Sequence, residues 1–215
     1  MGYHRAGFDV VGVDVRPQPR YPFAFHQANA LAFPLDGFDA IHASPPCQAF
    51  STIAKQQRTR RRYDHPDLYA STRDRLEGSG APWIIENVPG SPLATGVVLC
   101  GSMFGLDVRR HRLFEASFLM LAPTCEHGRQ RPRFRSLDKR RHARGAPLTR
   151  VVGVHGHCNY AGELDLRRHA MGIPWMESRE LSQAIPPAYT EWIGRQLLAT
   201  LGRLATARDA MSRDA

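Results

Sequence analysis

Cysteine is scarce in this chain: Cys47, Cys100, Cys125 and Cys158 are the only four in 215 residues, and they are widely scattered. That spacing excludes a disulfide framework, and a thiol kept for chemistry needs a reducing compartment, so the cytoplasm is expected. No apolar run reaches membrane length and no signal peptide is evident, so a soluble protein with no membrane partner is expected. Acidic residues are also in deficit. Twenty Asp and Glu stand against 29 Lys and Arg, giving a net charge of +9 and a pI near 10.0. An arginine-led excess favours a polyanionic partner, because the guanidinium fork matches phosphate. The hydrophobic content of 42% suffices for one α/β core in a chain of this length, with little left for a second full domain.

Against that background the stretch Ser44-Pro45-Pro46-Cys47-Gln48-Ala49-Phe50-Ser51 stands out. It follows Phe38-Asp39-Ala40-Ile41-His42-Ala43, a short run with the character of a buried strand. The paired prolines end that strand and form a stiff arm, since proline fixes φ and removes a donor. Cys47 is thereby set on the loop at the strand's carboxyl end, where open α/β sheets place their chemistry. A second apolar run, Trp83-Ile84-Ile85, leads into Glu86-Asn87-Val88-Pro89-Gly90. A thiol and a carboxyl group at the tips of two strands can converge on one small molecule.

Pro46-Cys47-Gln48 and Glu86-Asn87-Val88 together resemble the nucleophile and acid motifs of the cytosine-5 DNA methyltransferase family, in order and at a fitting interval. The resemblance covers about residue 2 to residue 200, interrupted by one variable segment. It implies an α/β fold of the Rossmann-like S-adenosylmethionine-dependent methyltransferase type. It also implies the domain plan: a catalytic core over 1–115, a target-recognition segment over 116–162, helices returning to the core over 163–204, and a tail over 205–215.

The resemblance assigns further residues. Gly7 to Asp14 matches the family's second strand, read as buried, so Asp14 is the expected acceptor for the cofactor's ribose hydroxyls; a plain strand-end capping Asp is the competing reading. Ala24 to Leu31 matches the third strand, with Asn29 where the family has an Asp toward the adenine amino group. Pro46 and Gln183 complete the expected cofactor contacts, Gln183 lying in Glu180 to Pro187, where Ser182 and Gln183 replace the usual Gly-Asn. The family's opening strand and Gly-rich turn have no counterpart before Met1-Gly2-Tyr3, which matches the middle of the following helix. A start codon placed downstream or a truncation would account for this, and the loss of a central strand would leave unpaired edges on its two neighbours.

Arg110 and Arg112 match the two arginines of a Gln-x-Arg-x-Arg pattern, with Val108 in place of the Gln. Spaced by one on a strand they would point the same way, Arg112 toward the cytosine O2 and Arg110 in support. Gln48, Ser51 and Lys55 belong to a basic segment expected to close over an extruded base. Arg129, Arg131, Arg133 and Arg135 alternate with period two and would present one basic side to DNA; a solvated basic loop reads nearly as well. Cys125, His127, His155, His157 and Cys158 follow no known finger spacing, so no metal is expected, and Cys100 reads as a packing residue.

The chemistry implied is thiolate addition of Cys47 to carbon 6 of a flipped cytosine. Glu86 engages N3, Asn87 and Arg112 hold the base edge, and carbon 5 takes a methyl group from S-adenosyl-L-methionine. The expected partner is double-stranded DNA, bound by a monomer, with a cognate restriction nuclease where the gene is of restriction-modification or phage origin. A tRNA cytosine-5 methyltransferase and an inactive DNA-binding remnant are the alternatives.

Overall fold

The structure, a computed structural model, describes residues 1–48, 50, 67–93, 95–130, 151–154 and 163–213. It is a mixed α/β protein. Two compact units can be distinguished: Met1–Leu99 with His111–Ala122 and Thr190–Ala215, and Cys100–Arg110 with Pro123–Tyr189. Residues 163–189 group with the Cys100 segment.

Among the described residues the first unit holds six strands: β1 (Val11–Asp14), β2 (Ala24–Gln27), β3 (Ile41–Ala43), β4 (Trp83–Asn87), β5 (Val97–Leu99) and β6 (Arg112–Ala116). β1 and β2 form a parallel pair. The other four form a mixed sheet in the order β3-β4-β6-β5, with β3 and β4 parallel and β6 antiparallel to both β4 and β5. β4 is flanked on both sides, and all five of its residues are buried. β1 and β3 each pair on one side only among the described residues, so neither is the buried strand its sequence suggests. Val11 remains 38% exposed and β3 is half-buried.

The helix α2 (Tyr69–Gly78) covers the β3-β4 face. Tyr69, Thr72 and Leu76 recur at i, i+3 and i+7, one helical stripe, and Tyr69 and Leu76 pack with Trp83, Ile85 and Leu93. Each fully buried side chain of this kind contributes about 1.5–3 kcal/mol. Gly80 ends the connection with φ of +70°, a conformation that glycine adopts without strain. The short helix α1 (Gly2–Arg5) meets the long helix α5 (Pro187–Arg213) at Gly194, where a Cβ would lie 2.7 Å from that of Ala6. Ile193 and Leu197 on α5 are buried, while Trp192 stays 36% exposed and donates its Nε1–H to the Leu121 carbonyl at 2.8 Å.

The second unit is built on two helices, α3 (Glu163–Met171) and α4 (Ser178–Gln183). Val108, Val152, Val154, Met171, Ile173 and Leu181 form its core. Gly172, with φ of +67°, closes α3 as the Ile173 N–H reaches back to the Arg168 carbonyl at 2.9 Å. Arg168 then bridges to Glu177 at 2.9 Å and to the Met176 carbonyl at 2.8 Å, holding α4 in place.

Beneath α2 lies a buried carboxylate. Glu115 accepts from the Tyr69 hydroxyl at 2.7 Å and pairs with Arg73, whose guanidinium also stacks 5.7 Å from the centre of the Trp83 ring. Removing the arginine leaves a buried charge without its counter-ion. Arg73→Ala is therefore expected to lower unfolding free energy by about 3 kcal/mol in urea titrations, more than a surface pair would.

Candidate active site

The C-terminal ends of β3 and β4 lie side by side, in parallel register with Ala43 opposite Ile85. From β3 the chain continues through Ser44, Pro45 and Pro46 to Cys47; from the adjacent position β4 continues into Glu86 and Asn87. These two residues are the strand's last two positions, at its tip as the sequence suggested. β6 runs the other way, pairing Leu113 with Asn87, so its first residue Arg112 arrives at the same end of the sheet. One sheet end thus gathers Cys47, Glu86, Asn87 and Arg112 from three strands.

Specific contacts hold them. The Asn87 side-chain amide donates to the Pro45 carbonyl at 3.2 Å, tying the proline arm to β4, while its oxygen accepts the Val88 N–H at 2.8 Å. Asn87 is 1% exposed, so its orientation is set by these bonds and not by solvent. Arg112 Nε donates to Glu86 Oε1 at 2.9 Å, and Glu86 is only 7% exposed. A carboxylate and a guanidinium therefore stand together at the sheet end, an acceptor beside a donor. Cys47 is half-buried on a turn closed by the Phe50 N–H to its own carbonyl at 3.0 Å, and Pro46 and Gln48 are exposed on either side of it.

A second support was not legible in the motifs. Burial pushes the Tyr3 hydroxyl up, so it stays protonated, and it lies 2.6 Å from His42 Nδ1. Burial also lowers His42 to about 4, so the ring is neutral. Nδ1 must then accept from Tyr3, leaving Nε2–H to donate to Ser44 Oγ at 3.1 Å. This relay runs from α1 through β3 to the first residue of the Cys47 arm.

The expected cofactor residues are more dispersed. Asp14 ends β1, where an acceptor for ribose hydroxyls belongs, but its carboxylate already accepts from the Arg16 N–H at 2.8 Å and from Gln18 Nε2 at 3.1 Å. Asn29 follows β2, and its side-chain oxygen accepts the Leu31 N–H at 3.0 Å. Each oxygen keeps a second lone pair able to accept a further hydrogen bond. Gln183 ends α4 in the second unit.

Arg110 departs from its expected role. It precedes β6 and has φ of +34°, so it does not share a strand face with Arg112. Its guanidinium donates to the carbonyls of Ala184 at 2.8 Å, Val154 at 2.7 Å and Ser182 at 2.7 Å, all within the second unit. It caps the end of α4 and fixes residues 151–154. Of the expected DNA contacts, Ser51, Lys55, Arg131, Arg133 and Arg135 lie outside the described residues, as do His155, His157 and Cys158. Arg129 falls in a short 3-10 turn, His127–Arg129. That turn belongs to a cluster the sequence did not reveal: Cys100 Sγ lies 3.2 Å from His127 Nε2, with Cys125 beside them.

The sequence matches no known family model and no curated protein.

Two outcomes are expected. Arg110→Ala removes three hydrogen bonds to carbonyls and should lower the melting temperature by several degrees, corresponding to about 2–4 kcal/mol, in a thermal scan. The His42 pKa lies below its unfolded value of about 6.5, so its contribution is complete above that pH and is lost as pH falls toward about 4. The stability advantage of wild type over His42→Gln should therefore shrink between pH 7 and pH 4.5.

Proposed function

We propose that this chain carries the catalytic centre of a DNA cytosine-5 methyltransferase. The observation that carries the reading is the convergence of Cys47, Glu86, Asn87 and Arg112 at one sheet end, with Glu86 and Arg112 paired at 2.9 Å. A cytosine presents N3 and O2 as adjacent acceptors and its exocyclic amine as a donor. Glu86 meets the N3 and amine side, either as a protonated donor or as an acceptor, and Arg112 meets O2. Cys47, on its stiff arm, attacks carbon 6, and the negative charge that this addition sends into the ring is taken up at N3 by Glu86 and at O2 by Arg112. Bound S-adenosylmethionine supplies an electrophilic methyl group to carbon 5. Loss of the carbon 5 proton then expels the Cys47 thiolate and restores the aromatic ring.

The same reading takes the mixed α/β architecture as a doubly wound one. In the order 3-2-1-4-5 the first strand separates the second from the fourth. Counting β1 and β2 as second and third, and β3 and β4 as fourth and fifth, the 3-2 and 4-5 pairings of that order are both matched. Asp14 and Asn29 would face the cofactor from strand ends, with Pro46 as a further contact from the same unit. The base must leave the helix to reach a site of this kind. The net charge of +9 supplies the attraction to phosphate, through Lys55 and the arginines from Arg129 to Arg135, with Gln48 and Ser51 as neutral hydrogen-bond donors.

A second reading has one observation in its favour: the side-chain oxygens of Asp14 and Asn29 are already engaged by neighbouring backbone. It holds that the chain binds DNA without the methyl donor. Radiolabelled S-adenosylmethionine offered with duplex DNA, or with transfer RNA, separates the readings. Label at carbon 5 of DNA cytosine is expected, Cys47→Ala lowering its rate by about a thousand-fold or more and Glu86→Gln by about 10²–10⁴-fold, with DNA affinity retained. Label in transfer RNA alone moves the substrate to RNA. Retention of DNA with neither label nor methyl-donor binding, even in a version extended upstream, leaves the DNA-binding reading.

A further inference from the structure

Within the second unit, two segments far apart in sequence bring a small group of soft ligands together. Cys100 caps a short 3-10 turn, Gly101–Phe104, and Cys125 and His127 lie in the segment that follows Pro123. Their ligand atoms lie within 4.8 Å of one another, and Cys100 Sγ is 3.2 Å from His127 Nε2. In tetrahedral zinc, with Zn–S near 2.3 Å and Zn–N near 2.0 Å, sulfur and nitrogen ligands stand about 3.6 Å apart. The group is therefore already close to ligand spacing.

The surroundings hold these side chains in position. Gly101 packs so tightly on the Val108 carbonyl that a Cβ would come within 1.8 Å of its oxygen, and the Gly101 N–H donates to the Arg109 carbonyl at 2.8 Å. Ser102 Oγ accepts the Glu126 N–H at 3.2 Å and donates to Cys100 Sγ at 3.3 Å, so one hydroxyl ties the two segments together and orients a ligand atom. Gln130, just after the His127 turn, donates through Nε2 to the Leu106 carbonyl at 2.5 Å. Hydrogen bonds from outer residues that fix ligand side chains are a general feature of metal sites. Thiolate with imidazole selects zinc over hard cations, which prefer oxygen.

We propose that Cys100, Cys125 and His127 bind a zinc ion that cross-links the Cys100–Arg110 and Pro123–Gln130 segments. Binding converts two thiols to thiolates, releases their protons, and leaves the zinc oxidation state unchanged. A further donor completes the tetrahedron, and the next histidine along the chain from Arg110 is His111. The site does not depend on the role of Cys47.

The test uses the whole chain, loaded with zinc, freed of loosely held metal and analysed by mass spectrometry for metal content. About one zinc per chain is expected, with Cys125→Ser and His127→Ala each lowering it at least about ten-fold. Cys47→Ser, which removes the described cysteine that is not in the group, should retain the metal. Cobalt in place of zinc should give thiolate-to-metal charge-transfer absorption that the Cys125→Ser variant weakens. Should a variant fail to fold, chelation of the wild-type protein gives an independent reading: alkylation of Cys100 and Cys125 should rise sharply when zinc is withdrawn. A wild-type chain that holds no zinc would overturn the proposal. So would variants that keep full zinc content, or thiols equally reactive with and without the metal.

Discussion

Everything at the candidate active site depends on β4 being covered on both edges. A strand paired with β3 on one side and β6 on the other has no freedom to slip, because a one-residue shift would exchange the faces on which Ile85 and Glu86 are buried. That fixed register delivers three chains to the same end of the sheet. β3 brings the proline arm, β4 itself brings Glu86 and Asn87, and the reversed β6 brings Arg112. Residues separated by as many as 65 positions in sequence, Cys47 and Arg112, thereby reach one place without a long loop having to aim either.

The polar groups at this end are mutually satisfied. Buried donors and acceptors cost free energy unless paired, and here Asn87 answers the Pro45 carbonyl while Glu86 answers Arg112. The Tyr3–His42–Ser44 relay adds support from the β3 side. A base edge entering the site would exchange these contacts for its own, so the arrangement is organised before a substrate arrives and little reorganisation is left to be done. The second unit uses arginine differently. Arg110 spends its guanidinium on three carbonyls, and Arg168 spends its own on joining α3 to α4.

Local pattern made much of this legible. The end of β3 at Ala43 and the polar end of β4 at Glu86 and Asn87 were readable, because proline, glycine and short apolar runs act through nearby backbone. The motifs around Cys47 and Glu86 were readable for the same reason. What could not be read depends on tertiary contacts. β1 and β3 are half-exposed because each pairs on one side only among the described residues. Arg110 looked like the strand partner of Arg112, yet its positive φ turns it away, and no periodicity announces that. The Cys100–His127 contact joins residues 27 apart through a turn whose tightness lies in Gly101, a glycine with no motif around it.

The central claim is that Cys47 attacks a flipped cytosine. The most direct measurement is intact mass and peptide mapping after incubation with S-adenosylmethionine and duplex DNA containing 5-fluorocytosine, in which carbon 5 carries no proton to lose and the adduct cannot collapse. A stable covalent complex mapped to Cys47, absent with unmodified DNA and in Cys47→Ala, is the result expected. Binding of the fluorinated duplex and the methyl donor with no adduct, or an adduct at another residue, would contradict it.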